Sequence, residues 1–331
     1  MLPAFTSDIA VVGPTAIGKT DVATELVDRY GGRAEILSAD SVQIYRNLDI
    51  GSAKPSVQER NRARFHLIDL VDPDQAYTVA DYQRDAVAAH DLVKGRGTLS
   101  ILCGGTGLYI RALTQPLGIP SVPPDPELRA RWNTYAVEHG TVALHELLIE
   151  RDPAAAARLH PKDGRRIVRA LEVIEHTGRK LSDWHEDDRS SGVALMPSVT
   201  TVCLNRDRAE LYRAIDLRVD RMMDAGFPQE VLQLREAGFA RTLHSMRTLG
   251  YNELNAFIDG ETTLPECVEL IKLHTRQYAR RQLIWFRADP RIMWIDTEGM
   301  DAPRIADRII SLIAEKSTGA NEPVNSRERI V

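Results

Sequence analysis

The sequence predicts an α/β protein in which a parallel sheet is flanked by helices and the chain is interrupted by an all-helical insertion. Two observations support this fold class. Short apolar segments alternate with helical segments over residues 1–115, which is the pattern of a parallel sheet with covering helices. A glycine-rich segment, GPTAIGKT at residues 13–20, joins the first apolar segment to the first helical segment. In such sheets ligands bind where the strands end and the helices begin, so a site is expected there.

The glycine-rich segment has the residues of a phosphate-binding loop, or P-loop. It fits G-x-x-x-x-G-K-T through Gly13, Gly18, Lys19 and Thr20. Glycines allow a tight turn whose N–H groups point inward, and the start of the following helix adds partial positive charge. Lys19 adds a full charge, and the hydroxyl of Thr20 can bind Mg²⁺. The segment therefore predicts a polyphosphate site and a fold like that of P-loop NTPases. It leaves open whether the phosphate belongs to ATP, GTP or another compound.

The remaining elements of the core follow from apolar runs and helical spacing. Strands are predicted at residues 9–12, 34–37, 66–71, 99–103, 199–204 and 291–295. Helices are predicted at residues 21–30, 78–94, 207–224, 264–286 and 302–316. The helix that follows Asp207 has a capping-box-like start, because Glu210 stands three residues later.

A proline-rich segment, PLGIPSVPP at residues 116–124, marks a change of organisation. Asp125 and Pro126 then make a good helix start, an N-cap Asp followed by Pro at the first helical position. Residues 125–190 are predicted to be helical throughout. We therefore expect a core domain at residues 1–115 and 199–316, a helical insertion at 116–198 and a disordered tail at 317–331.

Composition limits the class of protein. The chain of 331 residues has 27% charged and 43% hydrophobic residues, as ordinary globular proteins do. No run of about 18 apolar residues occurs, so no membrane span is expected. The N-terminus lacks a basic segment followed by an apolar one, and Cys103, Cys203 and Cys267 form no C-x-x-C pair. We expect a cytoplasmic monomer with no zinc site, no disulfide framework and no obligate protein partner.

A second motif, SADSVQIYR at residues 38–46, follows the second predicted strand. Its carboxylate, Asp40, is expected at the carboxyl end of the sheet, where it would face the P-loop across a crevice. Asp40 could bind Mg²⁺ or act as a general base. An Asp that only caps a helix or forms a turn is an equally good interpretation of this residue alone.

A glycine-rich turn, Gly104-Gly105-Thr106-Gly107, ends the strand predicted at 99–103. A P-loop NTPase often has a Mg²⁺-binding Asp at the end of such a strand, and its absence here argues against ordinary ATP or GTP hydrolysis. The glycines indicate that a substrate approaches the bare backbone. A helix-capping turn is the favoured interpretation of this segment when it is taken alone.

Two basic segments point toward nucleic acid. One contains Lys162, Arg165, Arg166 and Arg169, and the other contains Arg276, Arg280, Arg281, Arg287 and Arg291 with Tyr278, Trp285 and Phe286 among them. Arginines bind RNA phosphates and aromatic rings stack on unpaired bases. The net charge of −5 provides no bulk attraction. For either run alone, a solvated helix face with core aromatics is the favoured alternative.

Together these motifs resemble one family, the tRNA dimethylallyltransferases, which are also called tRNA isopentenyltransferases. The resemblance extends from about residue 9 to residue 295 in the order and spacing of that family. The motifs are GPTAIGKT, SADSVQIYR, DIGSAKP, HLIDL, CGGTGLYIRAL, RRIVRALEV, MRTLGYNEL and RQYARRQLIWFR. The chain ends in a cysteine-free tail and so resembles the bacterial form, since eukaryotic relatives carry a C-terminal zinc finger.

The resemblance implies a reaction. The family transfers the dimethylallyl group of dimethylallyl diphosphate to the N6 amine of the adenosine immediately 3′ of the anticodon, and it releases diphosphate. Asp40 resembles the general base, Thr106 the residue that contacts the reacting ends of the substrates, and Arg218 the arginine that clamps the diphosphate. Thr20 would bind Mg²⁺. The diphosphate would be held by Gly13, Pro14, Thr15, Ala16, Ile17, Gly18, Lys19 and Thr20.

The resemblance also implies where tRNA binds, with the helical insertion gripping the anticodon stem-loop. The implied contacts are Asp40, Ser41, Val42, Gln43, Thr106, Arg129, Arg165, Arg166, Ile167, Val168, Arg169, Met246, Arg247, Thr248, Leu249, Gly250, Tyr251, Arg280, Arg281, Gln282, Leu283, Ile284, Trp285, Phe286 and Arg287.

Departures from the family pattern are few. Phe65 stands where the family usually has a histidine, and Ser52 stands where threonine is common. Two other functions are alternatives. A P-loop kinase of a small molecule or nucleotide would use ATP and an arginine lid, and Arg165–Arg169 could be mistaken for one. A non-catalytic RNA-binding module would be expected to have lost Lys19 or Asp40, and both are present.

Overall fold

The computed structural model describes residues 7–120, 122–191 and 194–317. In this part of the chain, six strands form one sheet in the order β3-β2-β4-β1-β5-β6, and every neighbouring pair is parallel. The strands are β1 (Ile9–Val12), β2 (Ala34–Ala39), β3 (Phe65–His66), β4 (Leu99–Gly104), β5 (Thr200–Asn205) and β6 (Met293–Asp296). The predicted α/β fold with a parallel sheet is confirmed.

Helices connect and cover these strands. Those of the first half are α1 (Lys19–Arg29), α2 (Val57–Arg62), α3 (Val79–Gly95), α4 (Gly107–Thr114), α5 (Pro126–Arg151) and α6 (Pro153–Ala156). Those of the second half are α7 (Gly164–Thr177), α8 (Leu181–Ser191), α9 (Arg208–Asp224), α10 (Phe227–Glu236), α11 (Tyr251–Ile258), α12 (Leu264–Arg287) and α13 (Ala302–Ser317). Among the residues described, none of the helices is both long and apolar enough to cross a membrane.

The chain divides into two compact units. The core unit comprises the described residues of 1–77, 85–110 and 198–331, and the helical unit comprises those of 78–84 and 111–197. The tail that the sequence predicts to be disordered lies, from residue 318 onward, outside the described residues.

The sheet of the core unit is apolar on both faces, as expected for parallel strands covered by helices. Ile9, Leu26, Ile101, Val202 and Ile309 are all buried in one cluster that joins the strands to the helices. A second cluster packs the segment after β2 against α10 and α11. The second cluster matters for the site, because it supports the loop that continues from Asp40.

The helical unit is built from capped helices rather than from one continuous run. Gly140 has a φ of 88° and interrupts α5. Asp125, Asp152 and Asp163 cap α5, α6 and α7 by accepting backbone hydrogen bonds from the first turns, and Gly178 ends α7 with a φ of 65°. The prediction of helix throughout 125–190 is therefore correct in type but misses these breaks.

One predicted strand is wrong in extent. Residues 66–71 were expected to be extended, but only Phe65 and His66 pair with β2. Leu67 and Asp69 have φ values of 65° and 58°, which an extended strand cannot contain. The chain leaves the sheet there, and Val71 forms an isolated bridge with Tyr45 instead.

Candidate active site

The glycine-rich segment forms a loop between β1 and α1, as its sequence predicts. Gly18 adopts a φ of 89° and is the N-cap of α1. Gly13 lies so close to β5 that a Cβ atom there would be 2.9 Å from the carbonyl oxygen of Leu204. Lys19 Nζ donates a hydrogen bond to the carbonyl oxygen of Pro14 at 2.8 Å. The loop is therefore fixed by its own glycines and by its lysine.

A cleft of about 500 Å³ opens beside this loop at the carboxyl ends of β2 and β4. Its walls include Lys19, Asp40, Gly105, Arg218 and Tyr278, all of which belong to the core unit. The P-loop, the end of β2, the turn after β4, α9 and α12 thus bring their polar side chains to one place. This is the position where open α/β sheets bind ligands.

The cleft holds two partly buried cations, Lys19 and Arg218. Burial lowers the pKa of Lys19 from 10.5 to about 8, and the charge of Arg218 acts in the same direction. Burial also lowers the pKa of Arg218, while the charge of Asp40 opposes this shift. Within the described part of the chain, the guanidinium of Arg218 has no hydrogen-bonding partner. Two cations that are desolvated and incompletely neutralised favour an anionic ligand.

Asp40 is both a turn residue and a free acceptor. Its Oδ1 accepts hydrogen bonds from the backbone N–H of Val42 at 2.9 Å and of Gln43 at 3.3 Å. No other hydrogen bond to this side chain is found among the residues that the structure describes, which leaves Oδ2 available. The turn fixes the carboxylate with one oxygen and presents the other to the cleft.

Thr106 joins the turn after β4 to the turn that carries Asp40. Its Oγ1 accepts a hydrogen bond from the backbone N–H of Ser41 at 3.1 Å, and its own N–H donates to Ala39 at 3.1 Å. Tyr278 of α12 lines the same cleft. Burial raises the pKa of Tyr278 to about 12, so this phenol stays protonated at neutral pH.

The glycines of the turn after β4 have a role in packing. A Cβ atom added to Gly104 would lie 2.2 Å from Ala39 O. One added to Gly105 would lie 2.2 Å from Gln282 Nε2, and one added to Gly107 would lie 2.2 Å from Trp285 Cδ1. Protein atoms fill the space of the missing side chains, while Gly104 and Gly105 line the cleft, so the approach of a substrate to their backbone stays a prediction. Glycine is required here for packing of the turn against β2 and α12.

The residues implied for tRNA contact divide into exposed and buried groups. The exposed group consists of Arg165, Arg166, Arg247, Arg280, Arg281, Ile284, Trp285 and Arg287. The buried group consists of Ile167, Val168, Met246, Gly250, Tyr251, Gln282 and Phe286. The remaining members are partly exposed, and they are Asp40, Ser41, Val42, Gln43, Thr106, Arg129, Arg169, Thr248, Leu249 and Leu283. The buried side chains offer no surface to a ligand.

Arg129 and Arg169 are already engaged inside the helical unit. Arg129 donates to both carboxylate oxygens of Glu172, at 2.7 and 2.9 Å, and Arg169 donates to Oε2 at 2.5 Å. Glu172 is fully buried. Its pKa is raised by burial but lowered further by Arg129 and the other donors, so it remains charged. These two arginines therefore hold an internal carboxylate.

Sequence reasoning missed two members of the site. Tyr278 was considered only as an aromatic for stacking, and it lies in the cleft. Lys54, in the DIGSAKP motif, also lines the cleft, and its ammonium donates to Tyr45 O, Asp49 and Asp69 within 2.7 Å. The i, i+4 spacing of Tyr278 and Gln282 was the available signal, since it places both on one face of α12.

The residues present can accommodate a magnesium ion that arrives with a phosphate. No group of three or more metal-binding side chains occurs in the described ranges. The hydroxyl of Thr20 lines the cleft at the start of α1. Mg²⁺ commonly uses one or two protein ligands together with phosphate oxygens and water, so this single hydroxyl fits such an ion.

A P-loop, two partly buried cations and a positioned carboxylate are typical of an α/β protein that binds a phosphorylated ligand. The family model of IPP transferase matches residues 43–289 of this sequence. The chain belongs to this family of prenyltransferase enzymes.

Similar proteins cover almost the whole chain. The tRNA dimethylallyltransferase of Heliobacterium modesticaldum is 41% identical over 93% of this chain and 95% of its own length. That of Geobacter metallireducens is 46% identical over 88% of this chain and 93% of its own. The crystal structure of a tRNA isopentenylpyrophosphate transferase from Bacillus halodurans matches with a TM-score of 0.69 and 35% identity, over 95% of this chain and 98% of that one.

Proposed function

We propose that this protein transfers the dimethylallyl group of dimethylallyl diphosphate to the N6 amine of the adenosine immediately 3′ of the anticodon in tRNA. The names of its relatives give the donor group and the acceptor. The observation that carries the proposal is the convergence of Lys19, Arg218 and Asp40 in one cleft. The two cations can stabilise the negative charge of a leaving diphosphate. The carboxylate can accept the proton that the attacking amine must lose.

The diphosphate would occupy the P-loop, Gly13 to Thr20. Backbone N–H groups and the start of α1 bind its oxygens, and Lys19 and Arg218 neutralise the charge that develops as it leaves. A Mg²⁺ ion bound by the Thr20 hydroxyl would add charge neutralisation. Arg218 needs no rearrangement to take this role, because no hydrogen bond inside the described chain occupies its guanidinium.

Asp40 would act as the general base. The adenine N6 attacks the first carbon of the dimethylallyl group, the bond from that carbon to the diphosphate oxygen breaks, and one N6 proton passes to Asp40. An exocyclic adenine amine is a weak nucleophile because its lone pair is delocalised into the ring. The free Oδ2 of Asp40 supplies an acceptor whose orientation is set by the two backbone bonds to Oδ1. Thr106, joined to Ser41, would contact the reacting ends of both substrates.

The exposed arginines would bind tRNA phosphates. We assign this role to Arg165 and Arg166 in the helical insertion, residues 116–198, and to Arg280, Arg281 and Arg287 at the end of α12. Trp285, which is 37% exposed, is the aromatic available for stacking. The target adenosine must leave its base stack to reach Asp40 in the cleft. We place the reaction in the cytoplasm, where tRNA is available.

A P-loop kinase is the less favoured alternative. Its arginine lid would need mobile, unengaged guanidinium groups, and Arg169 is instead bonded to buried Glu172 and to Val122 O. A non-catalytic RNA-binding module is also disfavoured, because Lys19 and Asp40 are both present and both line the cleft.

A transfer assay tests the proposal. Purified protein is mixed with Mg²⁺, labelled dimethylallyl diphosphate and unmodified tRNA, and ATP is offered separately. We expect label in tRNA without ATP, and much slower labelling when Asp40 is changed to Asn. Phosphate moving from ATP to a small molecule, with no label in tRNA, would support the kinase instead.

A further inference from the structure

Gln282 is a buried polar side chain on α12 that bridges two loops of the site. Its Oε1 accepts a hydrogen bond from the backbone N–H of Thr15 in the P-loop at 2.8 Å. Its Nε2 donates to the carbonyl oxygen of Gly105 in the turn after β4 at 2.9 Å. The side chain is only 6% exposed. One amide therefore joins the loop that would hold the diphosphate to the turn that carries Thr106.

A neighbouring residue lies on the same helix face. Tyr278 is one turn before Gln282 on α12, and both side chains line the cleft. Gln282 contacts the P-loop and Gly105, and Tyr278 extends the same wall of the cleft. All of these residues belong to the core unit.

The bridge leaves no free space at the turn. A Cβ atom on Gly105 would lie 2.2 Å from Gln282 Nε2 and 3.3 Å from Gly13 O, which also belongs to the P-loop. The P-loop, the turn and α12 are therefore in direct contact. A change in any one of them must move another.

The chemistry of the bridge selects glutamine. The group of Thr15 that faces Gln282 is a backbone N–H donor, and the group of Gly105 that faces it is a backbone carbonyl acceptor. A primary amide has one acceptor and one donor group and can satisfy both at once. Glutamate would set a carboxylate oxygen against the Gly105 carbonyl, and methionine would keep the shape but lose both bonds.

We propose that Gln282 is a positioning residue that sets the distance between the diphosphate-binding loop and the turn of Thr106. It does so without contacting tRNA, although it lies within the segment implied for tRNA binding. This inference rests on the proposed function. In that reaction the donor carbon must face the attacking amine in line with the leaving oxygen, so the spacing of the two loops determines the rate.

The test compares Gln282→Met with Gln277→Ala, an exposed position on the same helix. Binding of dimethylallyl diphosphate and of inorganic diphosphate is measured calorimetrically without tRNA, and tRNA binding and the transfer rate are measured separately. Losing two buried hydrogen bonds should weaken diphosphate binding about tenfold. It should also lower the transfer rate and leave tRNA affinity unchanged. Gln277→Ala should change none of these values.

The opposite pattern would overturn the inference. If Gln282→Met weakens tRNA binding and leaves diphosphate binding intact, Gln282 is a tRNA contact. If it changes neither binding nor rate, the bridge has no role. A wild-type protein that fails to transfer the prenyl group would refute the proposed function instead. Diphosphate binding would still report on the bridge, so the two failures are distinguishable.

A double-mutant cycle provides a second test that does not depend on one variant. Gly105→Ala should weaken diphosphate binding, because the new methyl group displaces Gln282. In a Gln282→Ala background the 2.2 Å clash is removed and only the 3.3 Å contact with Gly13 O remains, so adding Gly105→Ala should weaken binding no more than about twofold further. Independent losses that multiply in the double variant would show that the two residues are not coupled and would overturn the inference.

Discussion

Tyr251 donates a hydrogen bond to Glu230 Oε1 at 2.6 Å, and the same carboxylate accepts the N–H groups of Asp49, Ile50 and Gly51 at 2.6 to 3.2 Å. The pair fixes the first turn of the DIGSAKP loop, whose later residues line the cleft. Tyr251 is fully buried and packs edge to face on Phe227. Tyr251 lies in a motif that the resemblance implies for tRNA contact, but its side chain has a structural role.

We expect Tyr251→Phe to lower the free energy of unfolding by about 1–3 kcal/mol, because the partly buried Glu230 carboxylate loses one donor. Thermal or denaturant unfolding measures this change. The affinity for tRNA should remain that of the wild type. A variant with normal stability and weakened tRNA binding would contradict this assignment, and would show that the hydroxyl contacts tRNA.

Asp40→Asn should reduce the transfer rate by about 10²–10⁴, the usual effect of removing a general base. The amide oxygen of Asn can still accept the N–H groups of Val42 and Gln43, so the turn should persist. Single-turnover kinetics with saturating tRNA measure the rate, and a binding assay confirms that tRNA affinity is kept. Normal turnover by this variant would mean that another group takes the proton.

The diphosphate affinity of the free protein should fall as the pH rises through about 8. Burial lowers the pKa of Lys19 to about 8, so its ammonium is present below this pH and is lost above it. A bound diphosphate favours the charged form, so binding above pH 8 should take up a proton. Calorimetry in two buffers of different ionisation enthalpy detects this uptake. The Lys19→Met variant should bind diphosphate weakly at every pH, and its binding should take up no proton.

Arg129→Ala should destabilise the protein, because it removes two hydrogen bonds from Glu172, which is fully buried. Leaving a buried charge with no partner typically costs about 3–5 kcal/mol. We expect a smaller loss here, because Arg169 and the Asp125 N–H still bond to Glu172 and the Arg129 side chain is 39% exposed.

Arg131→Ala is a matched control, since Arg131 pairs with Glu175 and its side chain is 61% exposed. An exposed pair contributes about 0–1 kcal/mol. Equal losses in the two variants would show that Glu172 does not depend on Arg129.

Affinity for tRNA should fall steeply with salt, because bound phosphates release counterions. Replacing Arg165 and Arg166 together by Ala should weaken binding and reduce the slope of log K against log salt by about 2, or about 1 for each phosphate contact. Arg213→Ala removes a 75% exposed arginine of α9 outside the proposed surface and should leave the slope unchanged. An unchanged slope in the double variant would contradict the assignment of the helical insertion to the tRNA-binding surface.

Local motifs could be predicted from the sequence because their geometry depends on neighbouring residues. The P-loop needs only its glycines, the preceding strand and the following helix, and the positions of Gly18 and Lys19 agree with that expectation. The turn of Asp40 depends on the two following N–H groups. Such features are encoded within a few residues.

Features that depend on distant contacts could not be predicted in the same way. Gln282 and Thr15 are far apart in sequence, and only the packing of α12 shows that they meet. The apolar character of residues 66–71 predicted a strand, but the positive φ values of Leu67 and Asp69 end it early. The sequence indicates a glycine-rich turn after β4, yet what crowds these glycines is visible only in the packed structure.

The crowding at Gly104, Gly105 and Gly107 limits how an engineer could alter donor selectivity. Any side chain introduced at these positions must displace β2 or α12, so this wall of the cleft cannot be narrowed by simple substitution. Leu217, which is 49% exposed, and Met222 also line the cleft and can be shortened without such a clash. We predict that trimming these two side chains is the practical route to a variant that accepts a bulkier alkyl donor.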